Sequence, residues 1–163
     1  MTDARFLHDR YTIRRKVFTI LGAKFHVFDE AGSVVFFTKQ KAFKLREDIR
    51  LFSDETMSEE ILTMKARQII DFGVTFDIVD TRENEVVGSL RRKGMKSIIR
   101  DEWLVFDASG VEVGAIREDD AGLAVIRRFI EAESFLMPQK FHVEIEGRTV
   151  ATVAANRNPF VQK

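Results

Sequence analysis

The sequence predicts a mainly β fold of antiparallel hairpins with one or two short helices, and three observations carry that expectation. The tetrapeptide Lys-Phe-His-Val occurs twice, at Lys24–Val27 and Lys140–Val143, and each copy opens an apolar run that turns and returns. Asp, Asn and Gly recur between such runs, where hairpin loops need a local hydrogen-bond acceptor or a positive φ. Fifteen Phe stand against one Tyr and one Trp, a bias that suits a thick, dry interior. A succession of hairpins is a meander, which at this length closes into a barrel or folds into a sandwich.

Taken in order, the first ten residues read as a short leader, and a strand begins at Tyr11 and runs to Ile20. Gly22 is a break. The first repeat then runs through Phe25, His26, Val27 and Phe28, turns at Asp29-Glu30-Ala31-Gly32 and returns as Val34–Phe37. Asp48–Ser53 reads as a further short strand. From Glu60 the pattern has period two, with Leu62, Met64 and Ala66 forming the apolar face and Ile61, Thr63, Lys65 and Arg67 the other. Val74, Phe76 and Ile78 repeat that pattern, Asp80–Asn84 turns, and Val86–Leu90 returns. Glu102–Phe106, the turn Asp107-Ala108-Ser109-Gly110 and Val111–Ile116 make another hairpin. Asp119 and Asp120 precede Leu123, Ile126, Phe129 and Ile130, the cap and spacing of a helix over 119–130, with Arg127 and Arg128 near its end. The second repeat pairs Phe141–Ile145 with Thr149–Val153 across Glu146-Gly147. No linker interrupts this order, so residues 11–163 are expected to form one domain.

Composition narrows the chemistry. A chain of 163 residues, 45% apolar and 32% charged, is ordinary for one soluble domain. Its formal net charge of zero argues against a general nucleic-acid binder. The absence of cysteine excludes disulfides, thiolate catalysis and cysteine zinc sites, and suits a reducing cytoplasm, the expected location. The first residues lack the apolar core of a signal peptide, and no apolar run reaches membrane-spanning length.

No catalytic motif stands out, so the protein is expected not to be an enzyme and to need no cofactor. His26 and His142 are equivalent positions in the two repeats and invite a metal-pair reading. Without further ligands at suitable spacing, they are better explained as solvated or hydrogen-bonded strand histidines, facing away from their Phe and Val neighbours. The pairs Glu59-Glu60 and Asp119-Asp120 do not make an acid–base dyad, because neighbours on a strand point oppositely and the second pair caps a helix. No serine has a nucleophile-elbow context, and no phosphate-cradling glycine loop occurs. The basic clusters carry the functional expectation: Arg14, Arg15 and Lys16; Lys39, Lys41, Lys44 and Arg46; and Arg91, Arg92, Lys93 and Lys96, with Arg100 beyond. Beside Phe43 or Met95 they suit anionic phospholipid headgroups. The competing explanation is a solvated rim balanced by Glu47, Asp48, Asp101 and Glu102.

Several phrases, in order, resemble the bacterial branch of the LURP-one-related family, which belongs with the tubby C-terminal domain and the phospholipid scramblases. They are Tyr11–Val17, Phe25–Gly32, Lys39–Arg50, Lys65–Phe72 and Lys93–Trp103. The resemblance implies an antiparallel tubby-like β-barrel closed around a hydrophobic helix that comes last in the chain. After Asn158–Lys163 that helix is missing, so a form truncated at the C-terminus is expected, its incomplete barrel open to self-association. The resemblance also implies a non-enzymatic binding or scaffold module. Anionic phospholipid is the leading ligand; a protein partner at an open barrel edge and scramblase-like lipid handling are the alternatives.

Overall fold

Left-handed backbone at a few turn residues shapes the hairpins. Gly32, Gly110 and Gly147 have φ of 81°, 84° and 75°, and Asn84 and Glu146 have φ of 53° and 50°. Only glycine adopts such angles without a Cβ penalty, and asparagine tolerates them better than most. The loops at Asp29–Ser33 and Asp107–Val111 are built alike. In one, the Asp29 carboxylate accepts from Ser33 N (2.8 Å) and the Asp29 carbonyl from Gly32 N (3.2 Å). In the other, the Asp107 carboxylate accepts from Val111 N (2.9 Å) and the Asp107 carbonyl from Gly110 N (3.1 Å). The two-residue turn Glu146-Gly147 has both φ values positive, as the commonest tight hairpin connection requires.

A computed structural model describes residues 3–16, 22–41, 48–70, 73–93, 102–119 and 140–154. Among them the strands are β1 (Thr12–Lys16), β2 (Gly22–Phe28), β3 (Val34–Lys41), β4 (Ile49–Phe52), β5 (Glu60–Ile70), β6 (Gly73–Asp80), β7 (Glu85–Arg92), β8 (Glu102–Asp107), β9 (Glu112–Glu118), β10 (Lys140–Ile145) and β11 (Arg148–Ala154). Each strand is hydrogen-bonded to the next in chain order, so the meander expected from the sequence is present. A 3-10 turn at Ala4–Phe6 is the one helical element among the described residues. The expected helix over 119–130 lies, beyond Asp119, outside the described residues, as does the first strand beyond Lys16.

The chain divides into two units whose boundaries fall within β5, β6 and β7: Met1–Ala66 with Asp77–Val86, and Arg67–Phe76 with Val87–Lys163. In the first unit the core is Val35, Phe36 and Ile61, flanked by Val27, Leu51 and Leu62. Two β-bulges build it. Val27 pairs with Phe36 and Phe28 with Val34, which leaves Val35 as the extra residue. Leu51 pairs with Leu62 and Phe52 with Glu60, which leaves Ile61 extra. A bulge turns its additional side chain out of strict alternation. The period of β5 holds but the face assignment needs correction at its start: Ile61 and Thr63, assigned to the less apolar face, are both buried, Thr63 at 2% exposure. Burying a side chain the size of Ile61 or Phe37 contributes roughly 1.5–3 kcal/mol.

The residues before β1 pack on this unit. Phe6 lies against Phe36 with ring centroids 4.8 Å apart, and the Tyr11 hydroxyl donates to the Arg5 carbonyl at 3.0 Å. The Arg5 guanidinium forms two-pronged hydrogen bonds to Asp3 (2.8 and 3.0 Å) and to Glu59 (3.1 Å each). Arg82 adds a contact to Asp3 at 3.0 Å.

In the second unit Trp103, Ile116 and Val143 stand side by side across β8, β9 and β10, and the Phe76 ring is 6.0 Å from Trp103. The neighbouring register row carries charge. Glu102, Arg117 and His142 are opposite one another, Arg117 donates to Glu102 at 3.0 Å, and it also pairs with Glu144. Gly114 lies between Val105 and Ile145, and a Cβ there would sit 1.9 Å from the Glu144 carbonyl oxygen.

Two outcomes follow from this packing. Gly114→Ala forces β9 and β10 apart and lowers stability by about 1–3 kcal/mol, read from urea unfolding followed by Trp103 fluorescence. The side-chain hydrogen bond from Arg5 lowers the Asp3 pKa to about 2. Because the folded value is depressed, the stabilisation is fully present above the unfolded value of about 4 and is lost as pH falls through about 2. A carboxyl-carbon NMR titration of Asp3 should show that low midpoint, and Arg5→Ala should return it toward the unfolded value.

Candidate functional site

Strand alternation separates cations that are adjacent in sequence. Arg14 and Arg15 point to opposite faces of β1: the Arg14 guanidinium lies 4.6 Å over the Phe28 ring, and that of Arg15 lies 5.9 Å over Phe25. Each contact is a cation–π interaction, and neither neutralises the charge. In the other unit Arg91 lies 4.8 Å over Phe106, while Lys93 pairs with Glu102 at 2.9 Å. The expected balancing role of Glu102 is met there. Lys93 and Arg117, in that order, hold the Glu102 carboxyl below its ordinary range, because both cations favour the carboxylate. Arg14 and Arg15, adjacent in the sequence, thus do not share a patch on the sheet.

Register brings other cations together. Lys16 is opposite Lys24, and Lys24 is opposite Lys39, so three lysine positions form one row across β1, β2 and β3. Two positions along, Arg14 is opposite His26, and His26 is opposite Phe37. Lys41 pairs with Gly22 at the next same-face position of β3. Like charges directly opposite on a sheet destabilise it, so a row of this kind runs against the fold's own interest. Among the described residues Lys39 is exposed and has no acidic partner. Lys44, Arg46 and Lys96 lie outside the described residues, and Arg92 and Lys93 are exposed in the other unit.

A buried histidine borders the row. His26 is 5% exposed, with its ring centroid 5.1 Å from Phe37 and 6.1 Å from Phe28. Its Nε2 is 2.6 Å from Glu55 Oε1, and Glu55 Oε2 is 3.9 Å from Lys24 Nζ. His142, the equivalent residue, pairs through Nδ1 with Asp119 and through Nε2 with Glu144 at 3.4 Å. Both histidines are therefore hydrogen-bonded strand residues facing away from their Phe and Val neighbours, and His26 is buried as well. Among the described residues no group of three His, Asp or Glu could hold a metal ion.

Lys24 was not among the expected binding residues, although it opens the first Lys-Phe-His-Val repeat. Its place opposite Lys39 is countable outward from the Asp29–Gly32 turn, given the one-residue bulge. Its place opposite Lys16 carries no comparable local signal.

A sequence profile of the LURP-one-related family matches residues 9–162. The chain belongs to that family. The match takes in every strand of this LURP-one-related protein and begins after the 3-10 turn that covers Phe36. The antiparallel chain-order pairing agrees with the tubby-like architecture that the family implies. Membership points to a non-catalytic domain of the tubby-like type. No curated protein and no solved structure matches the chain. Among the described residues no helix is long and apolar enough to cross a membrane.

The lysine row has a measurable cost. Lys39→Gln removes a like-charge opposition and should stabilise the free protein by about 0.2–1 kcal/mol at low ionic strength. The gain should shrink in high salt, as urea unfolding at two salt concentrations would show.

Proposed function

We propose that this LURP-one-related protein is a non-enzymatic binding module that docks on anionic phospholipid headgroups through the cationic row of β1–β3. The observation that carries the reading is the register Lys16–Lys24–Lys39. Three lysine positions opposed across adjacent strands repel one another, and a multivalent anionic surface turns that repulsion into attraction. Arg14 and Lys41 extend the cationic strip along the same register. Each cation near an anionic bilayer adds about 1 kcal/mol, an attraction that falls away within a Debye length. Zero net charge does not oppose this, because headgroup attraction depends on the local field and not on the sum over the chain. Arg15, on the opposite face over Phe25, and the Arg91–Lys93 group of the other unit are assigned no part in the row.

A protein partner is the second reading, favoured by β11. That strand is exposed along its whole length, with Val150 and Val153 at 59% and 49%. An exposed strand of this kind is a template for strand addition.

Co-sedimentation with phosphatidylcholine vesicles, with and without phosphatidylserine, at low and high salt, separates the two. Retention only on the anionic vesicles, lost in high salt and lost in Lys24→Glu/Lys39→Glu, is the expected result. Equal failure on both vesicle types would move the assignment to the protein partner. Displacement by inorganic phosphate at matched ionic strength would move it to soluble phosphate compounds.

A further inference from the structure

The loop between β4 and β5 places a carboxylate against the same row. It is built internally. The Asp54 carboxylate accepts from Thr56 N at 2.7 Å and from Thr56 Oγ1 at 2.6 Å, and Met57 N donates to the Asp54 carbonyl at 3.2 Å. Met57 itself is left-handed, with φ 56°. At its far end the loop is tied down: Ser53 N donates to the Glu59 carbonyl at 3.0 Å, and the Glu59 carboxylate is gripped by Arg5. These bonds hold the backbone on both sides of Glu55.

Glu55 uses its two oxygens differently. Oε1 meets the buried Nε2 of His26 at 2.6 Å, and Oε2 faces the Lys24 ammonium at 3.9 Å. Its side chain is nevertheless 49% exposed, and that of Lys24 is 32% exposed. The carboxylate thus stands at the surface, beside the central lysine of the row, with the charge a lipid phosphate would bring. A contact that long and that exposed is weakly held. A phosphate offers more acceptor oxygens and more negative charge to the same ammonium.

We propose that Glu55 is a built-in competitor of the cationic row: its carboxylate occupies the field of Lys24 and must yield it before an anionic headgroup can engage. The proposal rests on the headgroup reading above and adds a restraint on it. Free protein is spared part of the lysine repulsion by its own carboxylate. Displacing that carboxylate from Lys24 is a fixed cost, which a dense anionic surface offsets more readily than a sparse one. This is discrimination through an internal opposing charge.

The test uses the full chain and the same vesicles. Glu55→Gln retains an acceptor for His26 Nε2 and removes the charge. It should tighten binding to phosphatidylserine-containing vesicles roughly fivefold at low salt, as loss of one opposing charge near a charged bilayer implies. Glu83→Gln, an exposed turn residue of the same unit, changes net charge equally and should leave binding within roughly twofold. Glu55→Ala should act like Glu55→Gln, and thermal unfolding of each variant reports whether the loop survives. Wild-type binding that neither Glu55 variant tightens, or an equal gain in Glu83→Gln, overturns the competitor and leaves the headgroup reading standing. Wild-type binding that both Glu55 variants tighten, with Glu83→Gln unchanged, supports both. No binding by any of the proteins overturns both.

Discussion

Hydrogen-bonded pairing of β2 with β1 on one side and with β3 on the other decides which side chains of the first unit are neighbours. Three consequences follow from that ladder. Lysines far apart in the chain fall into one row, Lys16 beside Lys24 beside Lys39. His26 is set opposite Phe37 and becomes buried, which obliges it to find a hydrogen-bond partner. Arg14 and Arg15, on opposite faces by strand alternation, are each set over a particular phenyl ring. A one-residue slip in this pairing would exchange the faces and abolish all three arrangements.

The two units handle charge in different ways. In the second, Glu102, Arg117 and Glu144 alternate in sign, His142 is hydrogen-bonded beside Glu144, and Lys93 closes the end of the ladder. Alternation of this kind is self-satisfying. In the first unit the row is of one sign, with Glu55 at its side. A local field of one sign, more than total charge, suits an external partner of the other. The proposed docking on the β1–β3 surface draws on this contrast.

Much of the fold could be read from residues close together in the chain. Asp29 with Gly32, Asp107 with Gly110, and Glu146 with Gly147 encode turns whose geometry depends only on their own φ angles and carboxylates. The bulges were not legible. Alternation puts Ile61 on the less apolar face with Thr63, Lys65 and Arg67, yet it lies in the core beside Val35, and both are bulge residues. Nothing in the local pattern distinguishes Ile61 from the regular strand positions around it, because a bulge is a property of two strands and not of one. The proposed binding residues divide the same way. Clustering in the sequence pointed to Lys16, Lys39 and Arg14 but passed over Lys24, and it joined Arg15 and Lys93, which the sheet directs elsewhere.

The amino-acid order alone determined the antiparallel hairpin character, the turn sites and the family, since each rests on contiguous residues or on short phrases in sequence. Tertiary structure alone decided that Lys24 stands between two other lysine positions, that His26 is sealed against Phe37 with Glu55 at its ring nitrogen, and that Ile61 is interior. The physical reason is that alternation along one strand says which residues share a face, whereas only hydrogen bonds between strands say which of them meet.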